Sequence, residues 1–202
     1  LEDRDGIAVP FPPGLSGALR VGGQAAQGLA WAIDKPLVGV DHLVGHLLAP
    51  YLRYLTGENP PLPELPYVAL LASGGHTALY LVTGLSLEHV RELGATRDDA
   101  AGEAFDKVAK LLGLGYPGGP VVDRLAKEGD PEAIALAQPM ARKDSLEFSF
   151  SGIKTNVARW VEQNGRPGDD QTLRDVCANF QRRVIDVLVT KTLATPKRRN
   201  DK

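Results

Sequence analysis

The apolar periodicity of residues 98–112 limits the possible folds of this chain more than any other feature. Apolar side chains recur there at the spacing of one helix face, and they are Ala101, Ala104, Phe105, Val108, Leu111 and Leu112. The opposite face carries Asp99, Glu103, Asp106 and Lys110. Glycines at 113 and 115 stop the pattern. The run predicts an amphipathic helix that turns its apolar face toward a core.

Shorter patterns before and after this helix predict alternating strands and helices. Apolar runs predict strands at 7–11, 36–40, 67–72 and 78–83, and a short strand at 148–150. Helices are expected at 16–33, 42–55, 121–127, 154–162 and 172–193. Residues 73–77, which contain Gly74 and Gly75, separate two of the strands and predict a hairpin. Four glycines in 16–33 predict a buried helix to which another backbone comes close.

Composition is that of an ordinary soluble globular protein. The chain has 202 residues, of which 43% are hydrophobic and 24% charged, and its net charge is -2. This balance does not mark a nucleic-acid binder, although a local patch or a partner subunit can supply positive charge. The sequence contains no run of 18 apolar residues, so no membrane-spanning helix is expected. The single cysteine, Cys177, cannot form an internal disulfide and is expected to be a buried, inert thiol in a reducing cytosolic protein.

Two histidines form the first candidate site. His42 and His46 are four residues apart, so on a helix both rings face one side and can reach one metal ion. Two surface or capping histidines would give the same spacing, and a metal needs further ligands. The zinc protease motif requires a glutamate directly after the first histidine, and that position holds Leu43. A thermolysin-like peptidase is therefore disfavoured.

Two glycine-rich turns and several acidic residues form the second group of candidates. Gly74 and Gly75 would allow backbone N–H groups to approach a phosphate, or would simply make a hairpin turn. Asp106 could accept hydrogen bonds from a ribose, or could belong to a solvated helix face together with the other carboxylates of 98–107. Residues 116–120 (YPGGP) and Asp123 could line a ligand or connect two helices.

Together and in this order, these segments resemble the TsaD family, once described as O-sialoglycoprotein endopeptidases. The segments are PGLSGALRVG (13–22), HLVGHLLAP (42–50), VALLASGGHT (68–77), DDAAGEAFDKVAKLLGLGYPGGP (98–120) and FSFSGIKT (148–155). The resemblance covers about residues 6–193, and the tail after Leu193 departs from the family pattern.

The resemblance implies an α/β fold of the actin-like ATPase (sugar kinase/Hsp70/actin) superfamily, here as an incomplete two-lobe architecture. It divides the chain into 1–66, the end of the N-terminal lobe with the metal-binding helix, and 67–194, part of the central and C-terminal lobe with the adenylate-binding turns. Residues 195–202 are expected to be a disordered basic tail. Both ends of the family's full-length protein are expected to be absent, including a third metal ligand, an aspartate.

The implied activity is an acyl transfer in tRNA modification. The threonylcarbamoyl group of threonylcarbamoyl-AMP would pass to N6 of the adenosine beside the anticodon. The implied metal ligands are His42 and His46, which would hold one divalent iron or zinc ion. The implied substrate-binding residues are Leu71, Ala72, Ser73, Gly74, Gly75, Asp106, Gly119 and Asp123. No residue is singled out as catalytic.

The implied partners are tRNA and TsaB-like and TsaE-like subunits, in a heterodimer or homodimer, in the cytoplasm and without a membrane. One departure from the family pattern is Val44, where the family has a glutamate. Other functions stay open. They are an inactive fragment or paralogue that serves as a scaffold for a TsaB-type partner, a metalloendopeptidase, and a kinase of the same superfamily.

Overall fold

The computed structural model describes residues 4–11, 16–52, 61–136 and 145–199. For residues 16 and 196–199 it describes the backbone only. The chain divides into two compact units. The first unit comprises Leu1–Tyr67 and Thr83–Val90, and the second comprises Val68–Val82 and Arg91–Lys202. The sequence division at 66/67 assigned 83–90 to the second lobe, whereas this segment groups with the first unit. The lobe assignment of each part stays a prediction.

The first unit is a β-α-β arrangement followed by a short helix. Strand β1 (Ile7–Phe11) pairs in parallel with β2 (Leu37–Asp41), with Ile7 opposite Leu37. Helix α1 (Ser16–Ala32) connects the two strands and packs on β1. Helix α2 (His42–Leu48) begins directly after β2. The first histidine, His42, therefore directly follows the second of two parallel strands.

The sequence predicts that helix α1 is buried, and this prediction is wrong because most of its residues are exposed. Ala30 is buried, but Val21 and Trp31 are 74% and 88% exposed. A Cβ atom added at any of the four glycines of α1 would meet nothing within 4 Å. Among the described residues, the glycines of α1 therefore face open space.

Helix α2 is shorter than the predicted 42–55. It ends at Leu48, and Ala49–Tyr51 form a 3-10 turn. Pro50 explains the early end, because proline lacks the N–H that would continue the helix. Residues 53–60 lie outside the described part of the chain.

The second unit contains a three-stranded sheet and four helices. The strands are β3 (Tyr67–Ala72), β4 (Thr77–Val82) and β5 (Val90–Ala95), in the order β3-β4-β5. The four-residue connection between β3 and β4 makes them an antiparallel hairpin, as predicted. Strand β5 was not predicted, because its sequence VRELGA has no clear apolar alternation. The helices are α3 (Ala101–Leu111), α4 (Gly118–Ala126), α5 (Ser151–Asn164) and α6 (Asp170–Arg199).

The core of the second unit lies between these helices and β4. Every residue of β4 is buried, as expected for the central strand. The apolar face predicted for 98–112 is confirmed, since Ala104 and Val108 are fully buried. Phe105 packs edge-to-face on Phe180 of α6, with ring centroids 5.0 Å apart. Cys177 is buried as predicted, and burial raises the pKa of its thiol to about 11, so it stays protonated and inert.

The starts of α4 and α5 also differ from the predictions. Helix α4 begins three residues early, at Gly118, inside the predicted turn. Helix α5 begins at Ser151, and the strand predicted at 148–150 is only a bridge between Thr96 and Phe148.

Helix α6 runs to Arg199, so residues 195–199 are helical, whereas the polar and basic sequence of 195–202 predicted a disordered tail. Residues 200–202 lie outside the described part of the chain. Of the described helices, α6 included, none is long and apolar enough to cross a membrane.

Replacing Phe180 by alanine should destabilise the second unit strongly. The ring is fully buried against Phe105, and truncating such a side chain costs about 3–5 kcal/mol through lost transfer energy and the cavity left behind. Urea unfolding followed by circular dichroism measures the change. Leu193→Ala on the same helix is the control, because Leu193 is 67% exposed and its loss should change the unfolding free energy little. Equal losses for the two variants would contradict this description of the core.

Candidate functional site

The two predicted metal ligands lie side by side at the start of α2. The Nε2 atoms of His42 and His46 are 3.1 Å apart, and their rings meet at an interplanar angle of 77°. Both side chains are exposed and border an open hollow of about 250 Å³ beside Pro10 and Val40. The helical spacing therefore brings two imidazole nitrogens to one accessible point.

Asp41 fixes the direction of this helix. Its carboxylate Oδ1 accepts hydrogen bonds from the backbone N–H groups of Leu43 (2.8 Å) and Val44 (3.0 Å). This is N-capping by the last residue of β2, and the negative charge also suits the helix dipole. The cap explains why the helix begins at His42 and why both histidines share one face.

The imidazole pair fits a divalent ion as an incomplete ligand set. A tetrahedral zinc ion with bonds of about 2.0–2.1 Å to nitrogen separates two ligand nitrogens by about 3.3 Å. The 3.1 Å between the two Nε2 atoms is close to that value. Within residues 4–11, 16–52, 61–136 and 145–199, no group of three or more His, Cys, Asp or Glu side chains could hold a metal ion. Within the described part of the chain, His42 and His46 therefore form at most two of the ligands that such an ion needs.

The glycine turn between β3 and β4 is the predicted adenylate-binding segment. The N–H of Ser73 donates to the carbonyl of His76 (2.8 Å), and the N–H of His76 donates to Ser73 Oγ (3.0 Å). Gly74 and Gly75 are exposed, and a Cβ at either would meet nothing within 4 Å. Among the described residues, no hydrogen bond involves the N–H groups of these two glycines. The turn thus presents unpaired donors on an open side.

Residues Leu71 and Ala72, also predicted to contact substrate, end strand β3 immediately before this turn. Ala72 is exposed and Leu71 is half-buried. Their place in the strand sets the direction in which the chain enters the glycine turn.

Asp106 lies on α3 and holds the start of α4. Its Oδ1 accepts a hydrogen bond of 2.7 Å from the N–H of Gly118. A Cβ at Gly118 would lie 2.6 Å from the Cβ of Ala109, so only glycine allows this approach. Gly119 follows, and a Cβ there would meet nothing within 4 Å. Asp106 thus organises the second glycine turn.

Asp123 lies one turn after Gly119 on α4, so the two residues share a helix face. Its carboxylate accepts hydrogen bonds from Lys127 Nζ (2.7 Å) and Gln181 Nε2 (3.2 Å). The bond from Lys127, helped by the one from Gln181, holds the pKa of Asp123 below its usual value. Asp123 is therefore an ionised acceptor at neutral pH.

Asp98 and Asp99 have roles that the sequence did not predict. Both precede α3 instead of lying on its polar face. Burial alone would raise the pKa of Asp98, but hydrogen bonds from Ser149, Phe150 and Ser151 outweigh it and leave the pKa below its ordinary value.

Asp99 is largely buried and joins two lysines. It accepts hydrogen bonds from Lys107 (2.5 Å) and Lys154 (2.9 Å), and these, with Lys107 first, lower its pKa. The pair Asp98–Asp99 therefore fastens the start of α5 to α3. The adjacent acids at 98 and 99 and the hydroxyl-rich segment 148–155 were the available signal, but the sequence does not reveal that they meet.

The structure brings most of the predicted substrate residues together within the second unit. A Cβ at Gly102 would lie 2.8 Å from the Cα of Gly74, so the glycine turn touches the first turn of α3. Asp106 lies one turn further along α3 and contacts the start of α4, which carries Gly119 and Asp123. One continuous set of contacts thus joins these residues. His42 and His46 belong to the first unit.

Two α/β units with a glycine turn and capped helices are consistent with part of a two-lobed protein of the actin-like ATPase class. Comparison with known proteins gives the family. The model of the TsaD family, described as tRNA N6-adenosine threonylcarbamoyltransferase, matches residues 1–200. The match extends past Leu193, so the prediction that the tail departs from the family is wrong.

Individual relatives agree with this result. A tRNA N6-adenosine threonylcarbamoyltransferase of Sorangium cellulosum is 69% identical over 197 residues, which cover 95% of this chain and 55% of the relative. Proteins of the same name from Geotalea uraniireducens and Anaeromyxobacter dehalogenans are 53% and 51% identical, with 96% and 98% of this chain covered and 54% and 56% of the relatives. This chain belongs to the TsaD family and has the actin-like ATPase fold. It spans about half the length of the relatives it matches.

Asp98→Asn should remove part of the acid sensitivity of the second unit. A carboxylate whose pKa is lowered in the folded state contributes stability above the unfolded pKa, near 3.8, and this stability is lost as pH falls through the folded value. The wild-type chain should therefore lose more stability than the variant between about pH 5 and about pH 3, a window that contains the unfolded pKa near 3.8. Urea unfolding over this range measures it. Asp186→Asn, which breaks a surface pair with Arg182, is the control, and a wild-type-like acid response in Asp98→Asn would refute the prediction.

Proposed function

We propose that this chain is the donor-binding part of a tRNA N6-adenosine threonylcarbamoyltransferase. The protein that contains it would transfer the threonylcarbamoyl group from threonylcarbamoyl-AMP to N6 of the adenosine beside the anticodon. Membership in the TsaD family and the printed names of its relatives support the reaction. The observation that carries the proposal is the contact of the open glycine turn with the helix that bears Asp106.

The glycine turn would bind the adenylate. Unpaired N–H groups at Gly74 and Gly75 suit a phosphate oxygen, because the missing side chains let an anion come close to the backbone. Asp106 and Asp123 would accept hydrogen bonds from the sugar hydroxyls of the donor. Gly119, whose surroundings are open, would leave room for the ribose at the start of α4.

These contacts would position the donor for attack by the amine of adenosine. The amine nitrogen forms a bond to the carbamoyl carbon, and the bond from that carbon to the phosphate oxygen breaks. AMP leaves with the electron pair, and the amine proton passes to solvent. Holding the two reactants in line is itself a large part of the rate gain for such a transfer.

The imidazoles of His42 and His46 would hold one iron or zinc ion together with ligands from elsewhere in the protein. Their 3.1 Å separation supports this role. When bound, such an ion supplies a Lewis acid that polarises a carbonyl oxygen. Leu43 follows the first histidine, so the glutamate base of a zinc peptidase is absent from that position.

The partners of this protein would be tRNA and TsaB-like and TsaE-like subunits in the cytoplasm. The exposed face of α1, with four glycines in open space and Trp31 at 88% exposure, supports a subunit contact there. Small side chains allow two helices to approach closely, and an exposed tryptophan is typical of interface anchors.

This chain alone should bind the donor weakly and transfer poorly. The comparison is a chimera in which this chain replaces the matching segment of the full-length Sorangium cellulosum relative. Titration with threonylcarbamoyl-AMP, followed by mass spectrometry of nucleosides from a tRNA transcript, measures binding and product. Product should form with the chimera and its partner subunits and be at least ~10-fold lower with the chain alone, about one tenfold step in transition-state stabilisation. Equal activity would refute the expectation, and a chimera that binds donor but forms no product would refute the proposed reaction.

His42→Ala should reduce the metal content of the chimera. Removal of one of two imidazole ligands from a shared ion typically lowers affinity steeply, so iron and zinc measured by plasma mass spectrometry should fall well below one equivalent. His89→Ala is the matched control, since His89 is an exposed histidine of the same unit whose ring contacts Ser86 (2.6 Å) instead of another imidazole. Unchanged metal in His42→Ala and His46→Ala would exclude this pair as ligands.

A further inference from the structure

We infer that Thr77 and Gly102 are positioning residues that fix the glycine turn 73–76 against the first turn of α3. The inference rests on the proposed function, because it assigns these residues to the geometry of the donor site. Neither residue was among the predicted substrate contacts. Two independent observations carry it, one from each residue.

The first observation is the buried hydroxyl of Thr77. This side chain is 1% exposed, and its Oγ1 accepts a hydrogen bond of 2.9 Å from the N–H of Ala101, the first residue of α3. The carbonyl of Thr77 accepts another from the N–H of Thr96 (2.8 Å). Thr77 therefore satisfies a helix N–H that has no partner within the helix. It joins the strand that leaves the glycine turn to the start of α3.

The second observation is the close approach of Gly102. Its N–H donates to the carbonyl of Ser73 (3.1 Å), and an added Cβ would lie 2.8 Å from both that oxygen and the Cα of Gly74. Contacts this short involve backbone atoms, which cannot move aside as a flexible side chain can. Only glycine at 102 allows the helix to touch the turn.

Together these contacts hold the turn from both ends. Gly102 holds Ser73, where the turn begins, and Thr77 is held where the turn ends. The open N–H groups of Gly74 and Gly75 lie between the two anchors. Because Thr77 is buried, it acts through the backbone of the turn and does not touch the donor.

The same anchors relate the turn to the other donor-binding residues. Asp106 lies on α3 four residues after Gly102, and α3 is a continuous helix over this interval. A loosened first turn would change the distance between the phosphate-binding amides and the acceptor at Asp106. The expected defect is therefore in the affinity for the adenylate more than in the transfer step itself.

Thr77→Val tests the first anchor. Valine keeps the volume and removes the acceptor, so the N–H of Ala101 loses its partner. In this chain, exchange of the hydrogen-bonded amides of Ser73, His76, Ala101 and Gly102 should speed up at least ~10-fold, one tenfold step for each ~1.4 kcal/mol lost. In the chimera, KM for threonylcarbamoyl-AMP should rise about 10-fold by the same conversion, with kcat changed by less than about 3-fold.

Thr77→Ser and Thr192→Val are the controls for this variant. Serine keeps the hydroxyl and should restore both slow exchange and the wild-type KM. Thr192→Val removes a hydroxyl that donates to a helix carbonyl of α6 at Leu188 (2.7 Å), far along the chain from the turn, and should change neither readout.

Gly102→Ala tests the second anchor and remains informative if Thr77→Val does not fold. The added methyl should push the turn away and raise KM with the same pattern, whereas Gly168→Ala should have no effect because a Cβ there meets nothing within 4 Å. If the exchange of the bonded amides of Ser73 and His76, or the KM, is unchanged in both anchor variants, the positioning role is wrong. If the wild-type chimera shows no donor binding, the proposed function fails separately, and the exchange data still decide whether the anchors hold the turn.

Discussion

The docking of the first turn of α3 on the glycine turn of the β3–β4 hairpin is the contact on which the second unit depends. One side of α3 places Ala104 and Val108 in the core, which fixes the helix. The N-terminal end of that helix then meets the glycine turn through Gly102. Since a buried amphipathic helix cannot rotate without exposing its apolar face, the packing of the core also sets the orientation of the turn.

The same helix organises two other elements of the candidate site. Asp106 caps the start of α4, and Asp98 and Asp99, just before α3, hold the start of α5. Together with the start of α3, whose Ala101 N–H donates to Thr77 Oγ1, three helix starts thus depend on carboxylates or hydroxyls that accept backbone or lysine hydrogens. Buried or half-buried charges in such positions are stable because each is paired, and removal of one partner would leave an unpaired charge or donor.

The sequence predicted the elements with strong periodicity well. The helix at 98–112, the β3–β4 hairpin and the pairing of His42 with His46 were all found close to their expected positions. The long match to the TsaD family explains why the predicted donor-site residues fall on one set of contacts.

Predictions failed where tertiary contacts decide. Helix α4 begins inside a glycine–proline turn because Asp106 caps it from another helix, which local propensity cannot reveal. The glycines of α1 suggested burial, yet they face open space in the described part of the chain. Residues Thr77 and Gly102 looked like ordinary turn and helix residues, and only their contacts distinguish them.

The most direct test of the donor site is a protection experiment on the chimera. Amide hydrogen exchange would be measured with and without threonylcarbamoyl-AMP at saturating concentration. Residues 73–76 and 118–123 should become protected, since the adenylate would pair with the open glycine N–H groups and lie against the start of α4. Saturated binding that leaves these two segments unprotected, with protection elsewhere in the protein, would contradict the assignment of the glycine turn as the donor site.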